Sequence, residues 1–295
     1  MTSLPAPGPE ADRDLPLDTH LHTNLSPDSD VPIDAYCASA LERGVPEIAV
    51  TDHLDFDPRA PAHSFAPFAT REREVRDAAA RWADRGLHVR FGVEVSYESE
   101  REAEIREHLA HHPYDYAIGS VHIGVDSPYK ASRVAGWVTG RTFDEAVAPY
   151  FAEVEAAIRS DLFDTIGHLD YVKKYVAHHV PPSAFAARPD VYEPLLRALV
   201  EAGMALEVNA SGLRQAPGET YPAPPVVERF RALGGRRVTA GSDAHRVRSF
   251  AYGLGHAYAA IADAGFEAVA FRRNPGEPRA GTSVLLPVPK RDNTA

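Results

Sequence analysis

The 295-residue sequence contains one cysteine, Cys37, and this scarcity excludes two kinds of architecture. One thiol cannot form an intramolecular disulfide framework, and it cannot supply a zinc site built from several thiolates. Long apolar runs are also missing, since no stretch approaches the roughly 20 residues that cross a bilayer. The residues before Arg13 lack the basic start and apolar core of a secretory signal. We therefore expect a cytoplasmic protein without a membrane segment.

Positive charge is scarce as well, because 31 lysines and arginines are outnumbered by 42 aspartates and glutamates, for a formal net charge of −11. A surface of this charge repels polyanions outside any local basic site, so we expect a small anionic substrate and no nucleic-acid partner. The apolar fraction of 44% is sufficient for a large core. We predict one domain over residues 15–286, with flexible tails at 1–14 and 287–295. The sequence does not indicate an oligomeric state.

Short apolar runs alternate with amphipathic segments of helical period along the chain. Helices are predicted at residues 33–43, 70–85, 143–159, 192–202, 225–233 and 252–263. Five of them are followed by a glycine of the kind that caps a helix in the left-handed conformation, namely Gly44, Gly86, Gly203, Gly234 and Gly265. Because parallel strands need a crossover connection, this alternation predicts a parallel sheet of about seven strands.

Histidines and carboxylates follow six of the strand-like runs. His20 and His22 have the i, i+2 spacing that turns two side chains to the same face of a strand. The other positions are His53, Glu94, His122, His168 and the pair Asp243 and His245. Functional groups at the carboxyl ends of barrel strands share one site. The repetition therefore predicts a metal site at the carboxyl-terminal end of a closed or nearly closed barrel.

Residues 123–142 show no clear period and contain several glycines and a proline. We interpret this segment as a long loop over the mouth of the site, where loops often determine specificity. A disordered insertion is the alternative. Tyr129 and Trp137 favour the packed loop, because buried aromatics usually hold such segments in place.

These features together resemble the PHP (polymerase and histidinol phosphatase) superfamily over roughly residues 15–286. The motifs that carry the resemblance are Asp18-Thr19-His20-Leu21-His22, Thr51-Asp52-His53, Gly92-Val93-Glu94, Gly119-Ser120-Val121-His122, Gly167-His168-Leu169-Asp170 and Gly241-Ser242-Asp243-Ala244-His245. The last two, with the segment from Leu206 to Arg214, are most similar to stand-alone histidinol-phosphate phosphatases. The resemblance implies a distorted (β/α)7 TIM-like barrel that holds three divalent metal ions, of zinc, manganese or iron.

Carried over position by position, the resemblance implies three sets of metal ligands. The first ion takes His20, His22, Glu94 and Asp243, the second shares Glu94 and takes His122 and His168, and the third takes Asp28, His53 and His245. Asp28 stands where many relatives have a histidine. A turn-forming role in Ser26-Pro27-Asp28 is the alternative for this residue.

The charges of such a site indicate its chemistry. Three divalent ions bring six positive charges against three carboxylates, so the pocket would attract a phosphate dianion in an otherwise acidic protein. Water shared between two ions has a pKa lowered toward about 7. The hydroxide that it forms can attack phosphorus in line at neutral pH. We assign catalytic roles to Asp18, Glu94, Asp243 and His245.

Three basic residues just beyond the motifs, Lys173, Lys174 and Arg214, are predicted to bind a phosphate oxygen of the substrate. Surface salt bridges are the alternative for each of them. A substrate that carries an imidazole and an amine also needs carboxylates or carbonyls, and the candidates are Glu207, Asp55 and the 123–142 loop.

Three aspartates lie next to ligand histidines in the sequence, namely Asp18, Asp52 and Asp170. Metal-bound imidazoles usually donate their second ring proton to such a group, so each aspartate is a candidate acceptor.

The resemblance implies a metal-dependent phosphomonoesterase that converts L-histidinol phosphate to L-histidinol and phosphate, a step of histidine biosynthesis. One alternative is a phosphoesterase that acts on nucleotides or nucleic-acid ends. Tyr97, Tyr129 and Trp137 are candidates to stack on bases in that case, but no basic run accompanies them. The other alternative is a non-catalytic metal-binding module like those attached to polymerases.

Overall fold

The computed structural model describes residues 12–277 and the backbone of residues 284–287. The strands in this part of the chain are β1 (Asp18–Leu21), β2 (Glu47–Val50), β3 (His53–Leu54), β4 (His88–Ser96), β5 (Tyr116–Ser120), β6 (Thr165–Ile166), β7 (Ala205–Asn209), β8 (Val238–Gly241), β9 (Ala268–Phe271) and β10 (Val284–Pro287). The helices are α1 (Ile33–Arg43), α2 (Phe68–Ala83), α3 (Glu102–His111), α4 (Val134–Val138), α5 (Phe143–Arg159), α6 (Val172–Val176), α7 (Pro182–Ala186), α8 (Pro189–Ala202), α9 (Pro224–Ala232) and α10 (Leu254–Asp263).

Seven strands pair in parallel in the order β1-β2-β4-β5-β6-β7-β8, and the short β3 pairs beside β4. The first and last strands of this series also meet, since Leu21 forms a parallel bridge with Ala244. His22 N donates to the Ala244 carbonyl at 2.9 Å, and Asp243 N donates to the His20 carbonyl at 2.8 Å. The sheet is therefore a nearly closed barrel, and the predicted fold class is confirmed.

All six helices predicted from the hydrophobic period are present, and the five glycines that follow them have φ between 61° and 100°. Helix α3 was not predicted. Ile105 is its one buried residue, so the apolar period that identifies a helix in a sequence is absent there.

The barrel strands are buried on both faces, as expected of parallel strands covered by helices. Cys37 is fully buried on α1, where its thiol packs in the core. Within the described residues, no helix combines the length and the apolarity that a membrane span requires.

The described structure includes three residues before the predicted domain boundary at residue 15. Asp12 is buried, and its carboxylate accepts hydrogen bonds from Gly253 N and Gly255 N, both at 3.0 Å, at the start of α10. The rest of the predicted amino-terminal tail lies outside the described residues. So does the predicted carboxyl-terminal tail beyond Pro287, whose backbone pairs with Ala268 on β9.

The 123–142 segment is packed on the barrel. Tyr129 OH and Trp137 Nε1 both donate to the Ala146 carbonyl on α5, at 2.8 and 2.9 Å. Ile123, Val125 and neighbouring residues line the large pocket, so this segment borders the mouth of the site as predicted. The disordered insertion is therefore the wrong alternative.

Candidate metal centre

Glu94 lies at the centre of the predicted ligands, within β4 and next to His53 of β3 in the strand register. It is fully buried, and its two carboxylate oxygens are surrounded by imidazole nitrogens. The distances from Oε1 are 3.0 Å to His168 Nε2, 3.3 Å to His20 Nε2 and 3.4 Å to His122 Nε2, and those from Oε2 are 2.8 Å to His53 Nδ1 and 3.4 Å to His22 Nε2. Four strands, β1, β3, β5 and β6, thus deliver five histidines to a single carboxylate.

Two further carboxylates complete the cluster. Asp243 Oδ1 lies 3.4 Å from His22 Nε2 and 3.5 Å from His245 Nδ1. Asp28 Oδ2 lies 3.1 Å from His245 Nε2 and 3.3 Å from His53 Nε2, at the half-exposed edge of the cluster. The structure therefore brings all nine predicted donors together, including Asp28.

Metal ions fit this donor set. The Nε2 atoms of His20 and His22 are buried and form no hydrogen bond within the described residues. An unsatisfied buried polar group costs about 1–3 kcal/mol, which a coordinated cation would remove. Three groups of donors have ligand atoms within 4.8 Å of one another: His20, His22 and Asp243; His22, His53 and His245; and His53, Glu94 and His122. Imidazoles mixed with carboxylates suit zinc, manganese or iron.

The carboxylates and imidazoles of the cluster shift one another's pKa values. Burial alone would raise the pKa of the Glu94 carboxyl, but His20 and His122 hold it well below its usual range. Burial would lower the pKa of His53, but Glu94 and Asp28 raise it well above the ordinary value. Without cations, protonated imidazoles therefore balance the carboxylates, and a bound metal ion would displace those protons.

Two ligand positions have strained backbones. His168 has φ of 27° and Asp243 has φ of 54°, in the left-handed region that side chains with a Cβ rarely adopt. Such conformations cost of order 1–3 kcal/mol and collect at functional sites. Gly241 is required for close approach instead, because a Cβ there would lie 2.4 Å from His20 Cβ and 2.7 Å from Glu207 Oε1.

The predicted catalytic role of Asp18 needs correction. Its carboxylate is fully buried and does not line the pocket. Oδ1 accepts hydrogen bonds from the backbone N–H groups of Ser242 at 2.9 Å and His20 at 3.3 Å. Burial raises the pKa of Asp18 to about 6. Asp18 thus holds the backbones of two ligand-bearing segments together below the site and does not reach an imidazole ring.

The other two aspartates predicted to accept a ring proton also have different partners. Asp52 accepts from Thr23 Oγ1 and Ser26 Oγ, and it reaches the His22 ring only through Ser26, whose Oγ is 3.5 Å from Nδ1. Asp170 accepts from Tyr192 OH and pairs with Lys173. The second ring nitrogens of two ligand histidines instead have partners that are distant in the sequence. Ser96 Oγ lies 2.9 Å from His122 Nδ1, and Glu207 Oε1 lies 2.7 Å from His20 Nδ1.

The donors open onto a cavity of about 790 Å³. Arg214 lines it, donates from Nη2 to the Asp243 carbonyl at 2.6 Å, and has a buried Nη1 without a hydrogen-bond partner in the described part of the chain. Lys174 also lines the cavity and donates to Tyr171 OH at 2.6 Å, beside the His168 ring on which Tyr171 stacks. Two basic side chains thus border the cluster of donors.

Lys173 does not belong to this group, and its predicted phosphate contact is wrong. Its side chain is 2% exposed, and Nζ lies 2.6 Å from both Asp170 Oδ2 and Glu219 Oε1. Successive helical residues project about 100° apart, so Lys173 and Lys174 on α6 cannot both point into the cavity.

Carboxylates lie on the opposite wall, in the segments that follow β3 and β4. Asp55, Asp57 and Glu98 line the cavity there, and Asp57 is paired with Arg59 at 2.7 Å. Burial, together with the nearby Asp57, raises the pKa of Glu98. The predicted substrate contact of Glu207 is wrong, because this residue is fully buried below His20 and outside the cavity lining.

Of the three aromatics considered for base stacking, Tyr97 lines the cavity, but its hydroxyl is bound to Glu102 at 2.8 Å. Tyr129 and Trp137 pack against α5 and are absent from the lining. Two of the three aromatics predicted to stack on bases therefore do not reach the cavity.

Comparison with known proteins places this geometry in a family. A family model described as "PHP domain" matches residues 18–211, which include seven of the nine donors. The chain belongs to the PHP family. A probable histidinol-phosphatase of Deinococcus radiodurans is 32% identical over 272 residues, covering 88% of this chain and 98% of the relative. A histidinol-phosphatase of Lactococcus lactis is 27% identical over 257 residues, covering 86% and 93%.

Solved structures agree with this PHP assignment. The histidinol phosphate phosphatase of Lactococcus lactis, crystallised with zinc, L-histidinol and phosphate, superimposes with a TM-score of 0.77 at 25% identity, over 88% of this chain and 97% of that one. A second solved structure, from Listeria monocytogenes, shares the fold with a TM-score of 0.68 at 21% identity, over 79% of this chain and 96% of that one. The PHP barrel predicted from the sequence motifs is thereby confirmed.

Proposed function

We propose that this protein is a metal-dependent phosphomonoesterase that hydrolyses L-histidinol phosphate to L-histidinol and phosphate in histidine biosynthesis. The observation that carries the proposal is the cluster of nine imidazole and carboxylate donors at the floor of a cavity whose wall holds Arg214 and Lys174. The histidinol-phosphatases it resembles, one of them crystallised with zinc, L-histidinol and phosphate, support the substrate.

Three divalent ions, of zinc, manganese or iron, are held by the nine donors in this proposal. When bound, they supply Lewis acidity to the phosphoryl oxygens and lower the pKa of water at the site. The three donor groups overlap at His22 and His53, whereas the family partition gives these two histidines to different ions. The partition therefore stays a prediction, and Glu94, which lies within 3.4 Å of five histidines, is the shared ligand in it.

Arg214 and Lys174 bind the phosphate. Arg214 lines the cavity and is held in place by the Asp243 carbonyl, so its guanidinium is oriented before a phosphate binds. The Lys174 ammonium is positioned by Tyr171 OH. These contacts neutralise the part of the phosphate that lies away from the metal donors.

The opposite wall binds the cationic half of the substrate. Asp55 and Glu98 follow β3 and β4, whereas Lys174 and Arg214 follow β6 and β7, on the other side of the barrel. In this lining, Asp55 and Glu98 are therefore separated from Lys174 and Arg214. Further charges of both signs line the cavity as well, on Lys130, Arg246, Asp28 and Asp243. A ligand with a phosphate at one end and an amine and imidazole at the other matches that separation, and a nucleotide, with its neutral base, does not.

The assay that tests this proposal compares phosphate release from L-histidinol phosphate with release from nucleotides, sugar phosphates and short oligonucleotides. We expect kcat/KM of at least about 10⁴ M⁻¹s⁻¹ for L-histidinol phosphate, and loss of that activity after chelation with return on adding zinc or manganese. Faster turnover of nucleotides or oligonucleotides would replace the proposed substrate, and no turnover of any phosphomonoester with metal bound would leave a non-catalytic metal-binding module. A cytoplasmic location, with a small phosphorylated molecule as the partner, is part of the same proposal.

A further inference from the structure

Glu207 is a fully buried carboxylate that the chemistry described above does not use. It lies in β7, away from the cavity lining and below the metal donors. Oε1 lies 2.7 Å from His20 Nδ1. Oε2 accepts hydrogen bonds from the backbone N–H of His168 at 2.7 Å and from Asn209 Nδ2 at 3.1 Å. One side chain thus contacts two of the proposed metal ligands at once.

The contact with His20 fixes the ring in one tautomer. A carboxylate accepts only, so Nδ1 carries the proton and donates it to Oε1. Nε2 lies on the other side of the ring, 3.3 Å from Glu94 Oε1, and its lone pair becomes free when this nitrogen releases its proton. This is the form that coordinates a cation, and the negative charge of the acceptor makes the imidazole a stronger ligand.

The contact with His168 fixes a backbone. His168 adopts φ of 27°, which a residue with a Cβ holds only where its surroundings impose it. The hydrogen bond from its N–H to Glu207 is such a constraint, and it places Nε2 3.0 Å from Glu94 Oε1. His20 and His168 therefore lie beside the same oxygen of Glu94 while both are held by Glu207 from below.

We propose that Glu207 is a positioning residue that sets the metal affinity of the centre by holding the His20 ring and the His168 backbone together. This inference rests on the metal centre of the proposed function but not on its substrate. Glu207 touches neither the cavity nor the reacting groups, so its effect passes entirely through these two histidines.

Glu207→Gln tests the proposal with a side chain of almost the same shape. The amide oxygen can still accept from His168 N–H, but the negative charge beside His20 is lost. We expect the dissociation constant for zinc to rise about 10–100-fold, the range that loss of an outer partner typically causes. The measurement is competition between the metal-loaded protein and a chromophoric chelator, with metal content determined by mass spectrometry. Added zinc should restore kcat to within a few-fold of the parent protein, with KM unchanged.

Glu47→Gln is the matched control. Glu47 is also a buried barrel-strand carboxylate, but it lies at the start of β2 at the other end and pairs with Arg90 and Arg273. This variant should unfold at a lower temperature and bind zinc as the parent does. Equal zinc affinity in Glu207→Gln and Glu47→Gln would overturn the proposal.

Asn209→Ser keeps the test decisive where Glu207→Gln fails to fold. It removes the amide that donates to Glu207 Oε2, and we expect zinc affinity to fall several-fold. Parent-like zinc affinity in Asn209→Ser would then overturn the proposal. Zinc competition needs no substrate, so a failed histidinol phosphate assay and a failed Glu207 test are distinguishable.

Discussion

The two ends of the barrel both bury carboxylates, but they give them different partners. At the amino-terminal end, guanidinium groups neutralise the charge: Glu47 lies 2.6 Å from an Arg273 nitrogen, and Asp164 lies 2.7 Å from Arg272 Nε. At the carboxyl-terminal end, the ion pairs of Glu94 in the described structure are all with histidines. The same residue type therefore has a permanent cation at one end and titratable neighbours at the other.

Because of that difference, we expect the arginine-paired carboxylates to contribute to folding stability and the histidine-paired carboxylates to metal binding. Arginine stays protonated at all accessible pH values, so it satisfies a buried carboxylate without any further ligand. Burial would raise the pKa of Glu47, and Arg273 and Arg90 hold it below its ordinary value instead. Imidazoles can release their protons and leave both themselves and Glu94 to a metal ion. The buried carboxylates at the arginine-paired end are neutralised by folding alone, whereas those at the histidine-paired end can also be neutralised by bound cations.

The largest effect is expected from Glu94→Gln, which removes the shared carboxylate at the histidine-paired end. Loss of metal-derived stabilisation of the transition state amounts to several kcal/mol, so kcat/KM for L-histidinol phosphate should fall at least about 10³-fold. The check is the phosphate-release assay together with metal content per chain. A parent-like metal content and rate would remove Glu94 from the centre.

Asp164→Asn should have the opposite profile. It leaves the buried Arg272 without its charged partner, and breaking such a pair typically costs about 3–5 kcal/mol of folding free energy. We expect a lower urea midpoint and melting temperature, but parent-like kcat and metal content at temperatures where the variant stays folded. A selective loss of metal in this variant would show that the two ends are not independent.

A smaller loss of kcat/KM is expected from a substitution at Lys174 on α6, and the adjacent Lys173 offers a control. Lys174→Gln removes a charge-assisted contact to phosphate, which is worth about 1.5–3 kcal/mol, so kcat/KM should fall about 10–100-fold, mainly through KM. Lys173→Gln is its matched control, because it breaks contacts to Asp170 and Glu219 away from the cavity. It should lower the melting temperature and leave KM unchanged. Equal KM values in the two variants would contradict the assignment of Lys174.

The smallest change, counted for each pH unit, is expected in zinc affinity at the histidine-paired end. His53 has a pKa raised well above its ordinary value, so it is protonated near neutral pH in the metal-free protein and must lose that proton to bind a metal ion. Zinc affinity should therefore increase with pH, by about tenfold per unit for one proton released, until the pKa is passed. Chelator competition between pH 6 and 8 measures this slope. A flat profile would mean that no imidazole is deprotonated on binding.

Much of the site was predictable because its geometry follows from strand direction. Parallel strands in one barrel point the same way, so residues after successive apolar runs meet at one end even when they are far apart in the sequence. His20, His122 and His168 lie around Glu94 for this reason. Asp28 was assigned from family resemblance, since its position in a turn carries no periodic signal.

The errors concern side-chain direction and contacts between distant segments. Neither the spacing nor the residue type tells which of Lys173 and Lys174 points into the cavity, since that depends on how the short helix α6 packs. The aspartates next to ligand histidines were proposed as ring partners, but Glu207, 187 positions from His20, takes that place. Position along the strand gives no signal here, because Glu94 and Glu207 both lie two residues before the ends of their strands.

The seam between β1 and β8 has a consequence for biosynthesis. Thr19 Oγ1 donates to the Ala240 carbonyl across 221 positions, and the first and last histidines of the centre, His20 and His245, flank this seam. A chain emerging from the ribosome presents five of the six histidine donors long before Asp243 and His245 are made. The proposed centre therefore reaches its full set of ligands only when the barrel closes, so a complete complement of metal ions would require a chain synthesised and folded through His245.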